Sequence, residues 1–433
     1  MASCKATDAV YQVEVPSAGK KLRELFYMAH FIHSHIAHFY ALAAPDFVCG
    51  PDAPPAERNI LGVVAKVGVP IGSQVIQARA YAQAIQTTLM GKATHPVGGI
   101  PGGMSKPLTE AERQEIEAKA RSIVEFAKFS LKLFEDVVLK NQGYVDMILS
   151  DTFTIKTNYM GLVDHDGKVN FYDGELRVIG PDGARIVQFA PADYLDYIAE
   201  HPEPWTYLKF PFLKSKGWHG IVDGADSGMY RVAPLARLNV ADGMATPLAQ
   251  AEYERFYSTL GGKPVHQTLA THWARLVELM YAAERLHELA RDAEICSPTV
   301  RAIPTAVPSE GVGVVEAPRG VLIHHYKTDD KGIVQKLNIV VATAHNYGAM
   351  CLGIKKAAMG VIRKGVEITE GTLNRVEMAF RAYDPCFACA THALPGQMPL
   401  EVVVRDAEGK VLERVERGVP AKHQRSNVII HDV

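Results

Sequence analysis

Two long stretches, residues 17–44 and 109–140, repeat apolar side chains at helical spacing, and they decide most of what the chain can become. After Ser17, which reads as an N-cap, Leu22, Leu25, Phe26, Ala29, Ile32, Ile36 and Phe39 share one face of a 3.6-residue helix. The Pro/Asp/Gly-rich residues 45–56 read as its end. The second stretch opens on a capping box, Thr109-Glu110-Ala111-Glu112, and lines Ile123, Phe126, Ala127, Leu133, Phe134 and Val137 along one side, interrupted by Ser130. Stripes of this length are buried only against other long helices. Further helices are predicted over 72–90, 247–260, 268–292, 346–361 and 372–383. Between 153 and 189 the pattern changes to alternation broken by Asp-Gly turns, with strands expected at Val169-Asn170-Phe171-Tyr172 and Leu176-Arg177-Val178-Ile179. A second β region spans 313–342, turning at 329–332, and a hairpin spans 400–415, turning at 407–409. The expected fold class is α+β, mainly α: a large body of long packed helices with small antiparallel β insertions.

Charge and cysteine usage narrow the function. The 433 residues carry 46 Lys+Arg against 48 Asp+Glu, which gives no electrostatic reason to bind nucleic acid or anionic membranes. No apolar run reaches the roughly 18 residues that span a bilayer, and the start lacks a basic-then-apolar leader. Six scattered cysteines do not make a disulfide framework, so a cytoplasmic location is expected.

The sharpest chemical feature is Asp384-Pro385-Cys386-Phe387-Ala388-Cys389-Ala390-Thr391-His392. Two thiols three positions apart, with a histidine three further on, can converge on one metal, and thiolates suit nickel, iron, zinc or copper(I). A structural zinc site normally takes four protein ligands, whereas Cys4, Cys49, Cys296 and Cys351 are isolated. A thioredoxin-like pair would sit early in a βαβ unit. A coincidental Cys-x-x-Cys is the third alternative. His30, His33, His35 and His38 also share one helix, but a di-iron helical site needs glutamates in step with them. Buried, hydrogen-bonded histidines near a partner protein are expected instead, and a structural role for His324 and His325.

Asp-Pro-Cys-x-x-Cys-x-x-His resembles the carboxyl-terminal signature of nickel–iron hydrogenase large subunits. Other stretches match that family in order: 31–39 followed by Pro45-Asp46-Phe47, His95-Pro96 with Pro101-Gly102-Gly103, Tyr207-Leu208-Lys209-Phe210-Pro211, Pro234-Leu235-Ala236-Arg237 and Glu316-Ala317-Pro318-Arg319-Gly320. The resemblance covers nearly the whole chain and is greatest to the cytoplasmic, F420-non-reducing branch associated with heterodisulfide reductase. It implies a nickel–iron centre with cyanide and carbon monoxide ligands, Cys386 as a terminal nickel ligand and Cys389 bridging to iron. Arg319 would sit over that pair, with Pro318 and Thr343 near the cyanides. His392 would ligate magnesium or a similar ion, together with a backbone carbonyl near Tyr347.

The implied activity is reversible heterolytic oxidation of dihydrogen. Its electrons would pass to an iron–sulfur small subunit, with heterodisulfide reductase and an electron-transfer subunit as further expected partners. The alternative is a non-catalytic, hydrogenase-like structural subunit of a redox complex. The family's amino-terminal Arg-x-Cys-Gly-x-Cys segment does not occur in these residues. The expectation is therefore an amino-terminally truncated body over 1–392 that supplies half a ligand set and does not retain stoichiometric nickel and iron by itself. An exposed apolar docking face for the iron–sulfur partner is expected on the helix over residues 30–39 and its neighbours. Residues 393–433 are expected to be a carboxyl-terminal extension, removed by a maturation protease between His392 and Ala393.

Overall fold

The computed structural model describes residues 1–363, 367–385, 400–405 and 408–417. The helices are α1 (Ala2–Val10), α2 (Ser17–His38), α3 (Ile60–Val67), α4 (Val69–Met90), α5 (Glu110–Phe134), α6 (Gln142–Leu149), α7 (Tyr194–Tyr197), α8 (Pro234–Val240), α9 (Pro247–Leu260), α10 (Thr271–Ala290), α11 (Tyr347–Val361) and α12 (Glu370–Arg381). The strands are β1 (Gly99–Ile100), β2 (Gly103–Met104), β3 (Asn158–Val163), β4 (Glu175–Ile179), β5 (Arg185–Phe189), β6 (Ile198–Pro202), β7 (Lys209–Leu213), β8 (Tyr230–Arg231), β9 (Glu310–Ala317), β10 (Gly320–Thr328), β11 (Val334–Val340), β12 (Leu400–Arg405) and β13 (Val411–Arg417). The expected α+β, mainly helical architecture is the observed one.

α10 is the hub. Every residue from Thr271 to Ala283 is buried, and the helix packs on α2, α5, α8 and α9. Both flanking helices follow the periodicity read from the sequence. In α5 the Thr109 side chain accepts from the Glu112 N–H while Glu112 returns the bond to the Thr109 backbone, closing the capping box. Ser130, the polar break in its stripe, is fully buried; it donates to the Phe126 carbonyl and shares a 2.8 Å hydrogen bond with Tyr40.

Two sheets form a second core. β5, β4, β3 and β8 make one, with β8 parallel to β3; β11, β10 and β9 make the other. Met160, Leu162, Leu176 and Val178 of the first pack with Val314, Val321 and Ile323 of the second. α1 lies so close on β9 that a Cβ on Gly313 would stand 2.2 Å from the Ala2 carbonyl oxygen. β12 and β13 pair as the expected hairpin, from Leu400 opposite Arg417 to Arg405 opposite Val411. No helix among the described residues is long and apolar enough to cross a membrane.

Several local expectations are corrected. Ser17 is not the cap of α2: Pro16, in extended backbone, takes that position, and Ser17 is the first helical residue. Residues 45–56 do not end the helical path at once, because wide helical turns carry it through Phe39–Ala43 and Pro45–Cys49 until Gly50. α3 follows the expected break and was not among the expected helices; Asn59 starts it by accepting from the Leu61 and Gly62 N–H groups. Residues 169–172 are not a strand. The Asn170 side chain accepts from the Tyr172 and Asp173 N–H groups and turns the backbone, leaving Phe171 to stack on Phe31 at 3.8 Å. The β6–β7 hairpin lies in a stretch for which no element is expected from the sequence; Pro202 and Pro211 sit in its two strands, which form a two-stranded sheet of edges alone. Of the helix over residues 30–39 and its neighbours, expected to present an apolar docking face, residues 30–39 themselves are not the exposed part. That part of α2 is largely buried, and the exposed apolar side chains nearby are Ile60 and Leu61 of α3 with Val69 and Ile76 of α4.

Candidate metal centre

The site is built around the tight turn between β9 and β10. Ala317 pairs with Gly320, so Pro318 and Arg319 form the two-residue tip. Gly320 has φ +126°, and a Cβ there would lie 2.0 Å from the Val232 side chain, so only glycine closes this turn. Arg319 reaches across to the segment that follows α12: its Nε donates to the Asp384 carbonyl at 2.5 Å and an Nη to Asp384 Oδ1 at 3.3 Å. Asp384 is 2% exposed and holds φ +58°, a left-handed conformation that Asp tolerates better than most residues. Burial pushes its carboxyl up, while the Arg319 and Arg275 guanidiniums pull the other way. Asp384 Oδ2 is buried with no hydrogen-bond partner among the described residues.

Three anchors fix the end of α12 that delivers Asp384. Arg275 of α10 donates to the Ala382 carbonyl at 2.9 Å. His38 of α2 bonds the Arg381 carbonyl at 2.8 Å through Nε2. Asp46, on the wide turn that prolongs α2, takes the Arg381 guanidinium at 2.6 Å and the Asn374 amide at 3.0 Å. In the sequence Asp46 stands out only as part of a motif; the ion pair it makes across 335 positions is what holds α12.

Behind the turn lies a buried ionic cluster that no single motif discloses. Arg237 of α8 is fully buried, and all five of its guanidinium N–H bonds are used. Two go to Glu278 Oε1 and Oε2, at 2.5 and 2.7 Å. One goes to Glu316 Oε2 at 2.8 Å, and two go to the carbonyls of Ala317 and Pro318, at 2.9 and 3.1 Å. Burial alone would raise the Glu278 carboxyl, but the bidentate Arg237 and the bond from His35 outweigh it and hold Glu278 below its ordinary value. Glu316 shifts the other way, because burial outweighs its single contact with the same guanidinium and the Leu162 N–H.

His35 donates from Nε2 to Glu278 Oε2 at 2.9 Å, and its Nδ1 has no partner among the described residues, so it is the neutral Nε2–H tautomer. Burial lowers it to about 4, against an opposing pull from Glu278. The unfolded chain therefore binds a proton below about pH 6.5 that the folded chain refuses until about pH 4. This contribution to stability is present at neutral pH and lost on acidification across that window, by at most about 1.4 kcal/mol per pH unit. Histidine-labelled NMR is expected to show the His35 imidazole neutral at pH 5 in the folded protein. An imidazolium signal there would contradict this.

A cavity of about 270 Å³ opens beside Arg319 and Asp384, walled by Ser34, Ala37, His38, Ala41, Leu42 and Ile60. His38 Nδ1, like Asp384 Oδ2, is buried and unpartnered among the described residues. Of the residues expected at the centre, the structure brings Arg319 and Pro318 to one turn. Thr343 lies one short helical turn from Asn346, whose amide donates to the Arg319 carbonyl at 3.3 Å. Tyr347 packs with Tyr383 at the head of α11. Cys386, Cys389, His392 and Ala393 lie outside the described residues. Among the described residues, no three of His, Cys, Asp and Glu are grouped to hold a metal ion. His33 instead bonds Arg79, and His324 and His325 bond Tyr326 and Glu310.

The nickel-dependent hydrogenase family matches residues 1–60 and 209–392. The chain is 50% identical over 414 residues to an F420-non-reducing hydrogenase iron-sulfur subunit of Archaeoglobus profundus, covering 96% of this chain and 85% of the relative. It is 37% identical to NAD-reducing hydrogenase HoxS subunit beta of Cupriavidus necator, covering 94% and 82%. A solved NAD+-reducing NiFe hydrogenase in its H2-reduced state superposes with a TM-score of 0.83 at 35% identity, over 90% of this chain and 84% of that one. The Ni-Fe-Se hydrogenase of D. vulgaris Hildenborough shares the fold, with a TM-score of 0.68 at 23% identity over 90% and 85%. Fold and relatives together define a metal-dependent oxidoreductase subunit. The chain belongs to the nickel-dependent hydrogenase family.

Proposed function

We propose that this chain is the large, metal-bearing subunit of an F420-non-reducing nickel–iron hydrogenase, which splits dihydrogen heterolytically and passes the electrons to an iron–sulfur small subunit. The observation that carries the reading is the Arg319–Asp384 contact, which puts a guanidinium beside a buried carboxylate two residues before Cys386. The residues present fit a small buried metal group. The cavity wall is largely apolar, one cationic fork faces it, and two buried polar atoms beside it lack partners among the described residues. Cys386 and Cys389 would hold nickel and iron, Pro318 and Thr343 would lie near the cyanide ligands of the iron, and His392 with a carbonyl near Tyr347 would hold magnesium or a similar ion. When bound, the group supplies the Lewis acidity that makes dihydrogen easier to deprotonate. Arg319 contributes a fixed positive charge at the mouth of the cavity, and Ala37, Ala41, Leu42 and Ile60 give it an apolar wall. The test is hydrogen-dependent reduction of a viologen dye by the native complex, lost in Cys386→Ser. Full activity in that variant would contradict the proposal.

Ile60 and Leu61 of α3 and Val69 and Ile76 of α4, all exposed and apolar, are the docking surface for the small subunit, since exposed apolar side chains on neighbouring helices mark an interface. Heterodisulfide reductase and a further electron-transfer subunit are the proposed downstream partners, in the cytoplasm. Residues 393–433 are a maturation peptide containing the β12–β13 hairpin, cut from the body that precedes it. Intact mass of the large subunit from active complex is expected to end at His392. A terminus at Val433 would contradict removal.

A further inference from the structure

We infer that Arg237 and Asn346 are positioning residues that act through Arg319, holding the backbone of its turn from two sides so that the guanidinium meets Asp384. The inference rests on the reading of Arg319 just proposed and deepens it. Three of the four residues of the 317–320 turn have a carbonyl held by a side chain remote in sequence. Arg237 takes the Ala317 and Pro318 carbonyls, and Asn346 takes that of Arg319. Neither clamp is free to drift. Arg237 is locked by bidentate Glu278, itself bonded to His35 of α2, and by Glu316, which also accepts the Leu162 N–H of β3. Asn346 is fully buried, and its Oδ1 accepts the Val232 N–H next to the glycine that closes the turn. Arg319 is itself about one-third exposed, so its side chain is not held by burial. Its aim is therefore set at the backbone, by α8, α10 and the segment before α11.

A group that only supports the fold adds to stability without caring what sits at position 319. A group that aims Arg319 loses its catalytic value once Arg319 is gone. The test uses the native complex carrying Arg237→Lys, which keeps the charge and loses the fork, and Asn346→Ser, which leaves the ionic cluster untouched and serves if the first does not fold. Each is combined with Arg319→Lys. Arg237→Lys is expected to lower kcat about tenfold at unchanged KM for dihydrogen and unchanged nickel content, and Asn346→Ser about threefold. In the Arg319→Lys background neither is expected to cost more than about twofold. Amide hydrogen exchange over residues 317–320 is expected to speed up in both variants, whatever position 319 does in catalysis. Losses that simply add to that of Arg319→Lys, or unchanged exchange, overturn the inference. An Arg319→Lys complex with unchanged kcat removes the reading beneath it and overturns the inference through that route, with faster exchange still showing that the clamps hold the turn.

Discussion

Arg319→Lys in the native complex is expected to lower hydrogen-dependent turnover by about 100-fold or more, with nickel content and melting temperature unchanged. Arg319 spans two acceptors of one residue, the Asp384 carbonyl and its Oδ1. A planar fork can satisfy both while leaving N–H groups turned toward the cavity; an ammonium on a flexible stem cannot hold the same geometry. The fold is retained because lysine keeps a positive charge beside the buried Asp384 carboxyl. The kcat from hydrogen-saturated dye reduction, read beside metal analysis, checks this. Activity within twofold of the parent would show that Arg319 does not serve the reaction.

The second large effect belongs to stability. Glu278→Ala is expected to cost about 3–5 kcal/mol, because it strands a buried guanidinium and the Nε2–H of His35 together. Glu278, Arg237 and His35 are all completely buried, so bulk solvent does not stand in for the lost carboxylate. The same substitution at Glu125, whose partner Lys128 shares an exposed face of α5, is expected to leave the denaturation midpoint unmoved. Denaturant unfolding of both variants supplies the comparison. Equal midpoints would mean that the buried cluster has been overrated.

What could be seen beforehand was whatever local chemistry determines. The capping box of α5, the boundaries of α9 and the turn at 329–332 depend on neighbours a few residues away, and they stand where the sequence placed them. Residues 169–172 misled because alternation and Asp-Gly turns are also what an Asn-centred turn produces, and only the pocket beside Phe31 decides where Phe171 goes. Ser17 misled because Pro16, lacking an N–H but keeping its carbonyl, can occupy the cap itself.

At the site, Arg319 and Pro318 were legible through a motif. Arg237 and Glu316 lie within motif stretches too, but nothing local pairs residues 79 apart, and Glu278 on α10 carries no mark at all. An arginine in a seven-residue helix that is otherwise apolar, apart from Asn239, was the one available signal that a buried acid must answer it.

The proposed function depends on nickel, with Cys386 and Cys389 as its proposed ligands. Nickel K-edge absorption of the native complex, compared with the Cys386→Ser complex, measures that directly. The expected result is about one nickel per large subunit in a sulfur-rich environment, with that nickel lost or one sulfur neighbour poorer in the variant. A native complex that oxidises dihydrogen with no nickel, or with nickel unaffected by Cys386→Ser, would contradict it.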